Sequence, residues 1–243
     1  MEFLKRIFSN ASGPSEKQIR KATKQVTQIH GEAATRVAAM ERLASWKTPE
    51  SAAALLRRFT IQTPQASMDL EEKQYAVRLL AGMGPVASDP IRQFIRSEPD
   101  VTFPVQALGR ILPPEEFRQS LVGLLDGFAS GYTRWPEVKA VLIAHVPDED
   151  FPAETVARFL GDEDDDVAIA AIDRLVQNGD EALRERLIQL FFEAEGRPRV
   201  RGRILDHFQE KEWPVKGYRK RMEEILELPF YLTSRGLVKR QSG

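Results

Sequence analysis

The run Asp162-Glu163-Asp164-Asp165-Asp166 is the densest group of cation-binding side chains in the chain. Asp162, Asp164 and Asp166 alternate as the first ligands of a calcium-binding EF-hand loop do. That loop also needs glycine at its sixth position for a sharp turn and a bidentate glutamate at its twelfth. Here Val167 and Asp173 stand in those places. A helix start explains the run better. An aspartate N-cap accepts the free amides of the first turn, and carboxylates there face the positive end of the helix dipole. No metal site is therefore expected. His30, His145 and His207 are scattered without ligand spacing, and there is no nucleophile elbow, phosphate loop or dinucleotide fingerprint. The chain has no cysteine, which removes thiolate chemistry and disulfides. No catalytic residue and no cofactor are expected.

Basic residues form the second pattern. Arg197, Arg199, Arg201 and Arg203 crowd a helix start, where the dipole disfavours cations. Two readings fit: neutralisation by the acidic turn that precedes them, or contact with an anion or nucleic acid. Arg58, Arg92, Arg96, Arg118, Arg158, Arg184 and Arg219 lie off the apolar stripes of successive helices, and guanidinium forks suit carboxylate or phosphate partners. They are expected to line a partner-binding surface. The competing reading is an ordinary solvated face with pairs within helices, such as Glu154 with Arg158 and Glu181 with Arg184. Trp46, Trp135 and Trp213 stand near helix junctions, as packing wedges do. Near the start, Phe3, Leu4, Ile7 and Phe8 share one side of a short segment, a candidate contact for a membrane surface or a partner. That segment is too short and too charged for a secretory signal.

The elements that must carry these residues are helices. Strand signals are nearly absent, while apolar residues recur every three to four positions. Val167, Ala168, Ala171, Ile172, Leu175 and Val176 make one stripe; Asn178-Gly179 ends it; Leu183, Leu187, Leu190 and Phe191 make the next. Similar pairs run from Ala34 to Phe59, Ala76 to Ile95, Val105 to Leu125, Val138 to Leu160 and Val200 to Leu226. Thr48-Pro49 supplies an N-cap and a first-turn proline. The second helices are expected to start at Pro49, Pro90, Pro114, Pro152, Asp180 and Pro214, a mean spacing of about 33 residues. One such pair cannot bury both its stripes, whereas a stack of pairs makes one continuous core. Ser15-x-x-Gln18 opens a further helix that caps the stack.

Residues 160–175 resemble a HEAT repeat of the short bacterial, phycobilisome-lyase-like kind. Asp164, Val167, Ala171 and Leu175 fill that repeat's positions, and Ala168 stands where it usually has arginine. The resemblance implies an all-α fold, a right-handed α-solenoid of about six HEAT-like helix pairs. The expected organisation is an amphipathic segment over 1–14, the solenoid over 15–228, and a capping tail over 229–243 whose last residues fray. It implies a scaffold or adaptor that holds a protein partner, acidic in character, along its concave face. The alternative is a nucleic-acid-binding relative, of the alkylpurine DNA glycosylase type, but that family's tryptophan- and aspartate-bearing segment is missing. Phycobilin lyases share the repeat, yet nothing local matches their chemistry. The formal net charge of −1 argues against a general nucleic-acid binder. It hides segregation: residues 148–166 hold nine acids and one base, and residues 197–221 nine bases and three acids. A reducing cytosol is the expected compartment.

Overall fold

The computed structural model describes residues 13–129, 133–178 and 181–241. Phe3, Leu4, Ile7 and Phe8 lie outside the described residues. The chain is mostly helical and divides into two units, residues 1–120 and 121–243.

The first unit holds α1 (Glu16–Val26), α2 (Ala33–Trp46), α3 (Pro49–Leu56), α4 (Ala66–Met83), α5 (Ser88–Ser97), α6 (Thr102–Ile111) and the start of α7 (Pro114–Ala129). Short 3₁₀ turns follow α3 (Arg57–Thr60) and α4 (Gly84–Ala87). The polar punctuation sets these boundaries. Ser15 and Gln18 form a reciprocal capping box at α1, and Thr48 and Ser51 do the same at α3, with Pro49 in the first turn. Helix α2 stops at Lys47, whose φ of 49° is left-handed. Helices α2, α4 and α6 pack side by side in one row, and α3 packs on α5 in a second. Between the rows lie Met40, Leu43, Leu55, Leu80, Ile91, Ile95 and Leu108, all fully buried. Each such side chain contributes about 1.5–3 kcal/mol by leaving water. Phe59 stacks on Phe103 with ring centroids 5.8 Å apart and meets Phe94 edge-on at 6.4 Å.

The second unit holds the rest of α7, then α8 (Pro136–His145), α9 (Ala153–Ala157), α10 (Asp165–Asn178), α11 (Glu181–Glu193), α12 (Pro198–Glu210), α13 (Arg219–Glu223), β1 (Phe230–Leu232) and β2 (Val238–Arg240). Helix α10 packs against α8 and α12, and buries the whole stripe from Val167 to Val176. Asp164 caps it: its Oδ1 accepts from the amides of Asp166 (2.9 Å) and Val167 (3.2 Å).

Three local expectations are corrected. The helix expected from Pro152 is only one short turn, α9. Phe159 and Leu160 are still buried, but they reach the core from tight turns in which their amides bond back three residues. The helix expected from Pro214 starts only at Arg219, because Pro214 bridges Leu237 and Gly217 turns the chain at a φ of 82°. The capping tail over 229–243, in which no strand was expected, holds an antiparallel hairpin in the register Phe230↔Arg240, Tyr231↔Lys239 and Leu232↔Val238. Its turn closes through Gly236 at a φ of 73°. Strand β2 packs on α12, and Val215, Phe230 and Val238 are buried there.

Among the described residues no helix is long and apolar enough to cross a membrane.

Candidate functional site

The arginine cluster sits at the start of α12. Gly196, at a φ of 76°, makes the turn out of α11 that an L side chain would resist; Arg197 then takes the N-cap position and Pro198 the first turn. No side chain caps this helix. Alternate positions point to opposite sides of a helix, while positions four apart share one side. The cluster splits accordingly. Arg199 and Arg203 turn to carboxylates on α10: Arg199 pairs with Asp166, and Arg203 Nε donates to Asp173 Oδ1 at 2.6 Å. Arg197 and Arg201 line a cleft of about 420 Å³, together with Arg240 from β2. Phe191, Leu205 and Phe230 supply its apolar surface, and Glu227 and Leu228 stand in its wall.

Each guanidinium in the cleft is held on one side only. Arg197 Nε donates to Asp165 Oδ1 at 2.8 Å, while its Nη2 is buried with no hydrogen-bond partner among the described residues. Arg201 Nε donates to the Phe191 carbonyl at 2.9 Å and its guanidinium lies over the Phe191 ring, 5.3 Å from the centroid. Arg240 lies over the Phe230 ring at 5.0 Å. Among the described residues neither Arg201 nor Arg240 has a carboxylate partner. Three cations against Glu227 and Asp165 leave one positive charge in excess.

The four aspartates of the acidic run are taken up within the fold, and Glu163 is exposed. Asp162 pairs with Lys139 and accepts the Asp164 amide, Asp164 caps α10, and Asp165 and Asp166 hold Arg197 and Arg199. Asp173 Oδ1 receives both Arg203 and His207 Nε2, the latter at 2.7 Å. Burial pushes the Asp173 carboxyl up, but the hydrogen bonds from His207 and Arg203, with their charges, outweigh it and hold it below its usual value. His145 bonds back to the Val141 carbonyl, and His30 is exposed at the end of α1. Among the described residues no three His, Asp or Glu side chains converge as a metal site requires.

Arg58 is a correction. It was expected on a partner-binding surface and is wholly buried in the first unit. Its Nε donates to Glu72 Oε2 at 3.0 Å and its Nη2 to Asp69 Oδ1 at 2.8 Å. Arg36 grips the same Glu72 through two bonds of 2.7 and 2.9 Å, and Lys73 lies 3.3 Å from Asp69. Burial pushes Glu72 up, yet the Arg36 hydrogen bond and the Arg58 and Arg36 charges hold it below its usual range; Asp69 is held low against burial by Arg58, the Thr63 amide and Lys73. The signal was present: Asp69, Glu72 and Lys73 continue the stripe of Ala76 and Leu80, which places charge on a core-facing line.

The other expected arginines, Arg96 apart, have local partners. Arg92 bonds Asp89 and Ser120, Arg118 forks onto Glu115, and Arg96 is exposed. In the second unit Arg158 pairs with Asp126 rather than with Glu154, Arg184 Nη1 reaches the Pro214 carbonyl, and Arg219 bonds Glu223 and the Ser234 carbonyl. Arg158 also borders a groove of about 590 Å³ between α9, α10 and α11, lined by Ala157, Leu175 and Leu183, with Arg186 opposite. Sequence reasoning missed Arg240 and Arg186. Arg240 falls in a strand of three residues, too short to show a period. Trp46 ends α2, Trp135 precedes α8 and Trp213 follows α12, where it meets Phe208 edge-on at 5.6 Å.

Comparison of the chain with protein-family models, with curated proteins and with solved structures finds no match.

Proposed function

We propose that the chain is a non-catalytic scaffold of HEAT-like helix pairs that holds a protein partner. The arginine cleft at the start of α12 carries this reading. Its guanidiniums combine unclaimed donors with an apolar floor, the mixture that anchors protein contacts, where arginine and aromatic residues are enriched. The packing of alternate helices in rows supports a solenoid, as do Asp164, Val167, Ala171 and Leu175 with their HEAT-like spacing. Nucleic acid is the weaker reading. Three of the four arginines in the 197–203 cluster already have a carboxylate, which leaves little free positive charge for a phosphate backbone.

Affinity purification with mass spectrometry, wild type beside the double variant Arg201→Glu/Arg240→Glu, tests the proposal. A set of proteins recovered by the wild type and depleted at least about tenfold by the variant is expected, since the reversal of two charges removes two charge-assisted contacts and sets like charges against an acidic partner. Identical recoveries from both, or retention of duplex DNA on a filter at low salt by the wild type alone, would overturn it.

A further inference from the structure

We infer that this cleft takes the C-terminal end of a protein partner whose last side chain is apolar. The inference rests on the scaffold reading and deepens it. Four features of the cleft point to a free carboxylate. Arg201 and Arg240 are steadied by their Phe191 and Phe230 rings, which leaves forks suited to two oxygens. Arg197, whose Nε is held by Asp165, adds a third guanidinium to the lining of the cleft. Helix α12 has no side-chain cap, and Gly196, Arg197 and Pro198 at its positive end line the cleft. The excess of one positive charge matches a monocarboxylate better than a phosphate dianion.

The apolar surface specifies what the carboxylate is attached to. Phe191, Leu205 and Phe230 bound the same cleft, so a side chain next to the carboxylate leaves water there. The volume of about 420 Å³ is within the range of small-ligand pockets, enough for one or two residues. Leu228 borders the cleft and is 79% exposed, an apolar handle that a chain continuing out of the cleft would cover. Glu227 beside it accepts a hydrogen bond, and a peptide amide next to the carboxylate can donate one. A free aliphatic acid uses neither group.

The test compares two pools of random heptapeptides ending in Leu or Phe, one with a free carboxylate and one amidated, by fluorescence polarisation against the full chain. The free-acid pool is expected to bind at least about tenfold more tightly than the amide. Gly202→Leu should abolish binding without unfolding the protein. Gly202 lines the cleft inside α12, an added Cβ there meets nothing within 4 Å, and leucine favours helix. Arg201→Gln should weaken the acid pool and leave the amide pool unchanged. Equal binding of the two pools, no binding of either, or octanoate competing as well as the acid pool would overturn the inference. If the acid pool fails while Arg201→Glu/Arg240→Glu still loses its captured proteins, the scaffold reading survives and only the terminal carboxylate falls.

Discussion

Replacing Arg58 by methionine should strongly destabilise the first unit. Methionine keeps most of the volume of the arginine stem, so the loss is one of charge and hydrogen bonds rather than of packing. Three cations, Arg36, Arg58 and Lys73, are buried with two anions, Asp69 and Glu72, and Lys73 reaches out to the half-exposed Asp100. Without Arg58 the buried groups fall to two cations and two anions, Asp100 keeps its charge in solvent, and the loss falls on the hydrogen bonds that Arg58 makes. Glu72 loses a 3.0 Å bond, Asp69 loses a 2.8 Å bond, and the Ile61 and Asp69 carbonyls lose weaker contacts of 3.4 Å. Removing one partner from a buried ion network destabilises by about 3–5 kcal/mol. For a unit of 120 residues, an unfolding entropy of about 2.1 cal/mol/K per residue converts this to a fall in Tm of about 12–20 °C. Scanning calorimetry of the full chain reads the shift directly. The exposed Arg96→Met is the control and should move the melt by no more than about 2 °C. Combined with Glu72→Gln, Arg58→Met should cost less than the two changes added, because they share bonds. A melt of Arg58→Met indistinguishable from that of Arg96→Met would refute the argument that this network is held together by its charges.

The same network makes the first unit acid-labile. Asp69 and Glu72 titrate below their unfolded values, so their contribution is complete above the ordinary carboxylate range near pH 4 and is lost as pH falls through the lower folded values. Urea midpoints measured against pH should stay level from neutrality to about pH 5 and then fall, more shallowly in Glu72→Gln; a midpoint that rises on acidification contradicts the sign. In the second unit Asp164→Ala should cost about 1 kcal/mol by stripping the α10 cap, seen as a lower urea midpoint with an unchanged slope, while Asp164→Asn keeps most of it.

Helix pairs were legible wherever a stripe was long and its ends were marked, as at Thr48-Pro49 and through Val167 to Val176. The acidic run was legible for the same reason: cap chemistry explains it and calcium chemistry does not. Arg58 misled because α3 gives way to a 3₁₀ turn at Arg57, and three residues per turn in place of 3.6 rotates the side chain off the face that helical counting assigns it. The hairpin escaped because two strands of three residues carry no detectable alternation, although Gly236 marked its turn. The arginine cluster was visible as a cluster, but its division between α10 and the cleft depends on which side of α12 each residue occupies, and its third member comes from another element altogether.

The β1–β2 hairpin gives the cleft an unusual kind of hinge. A ribbon of two short strands is marginal when left to itself and opens among the earliest parts of a fold. Arg240 rides on that ribbon opposite Phe230, whereas Arg197 and Arg201 belong to a full helix. An occupant of the kind proposed would tie the ribbon to α12, and an opening of the ribbon would withdraw one of the three guanidiniums. On the proposed reading, affinity would scale with the fraction of time two short strands stay zipped, and changes confined to their outer faces would tune capture without touching the captured molecule.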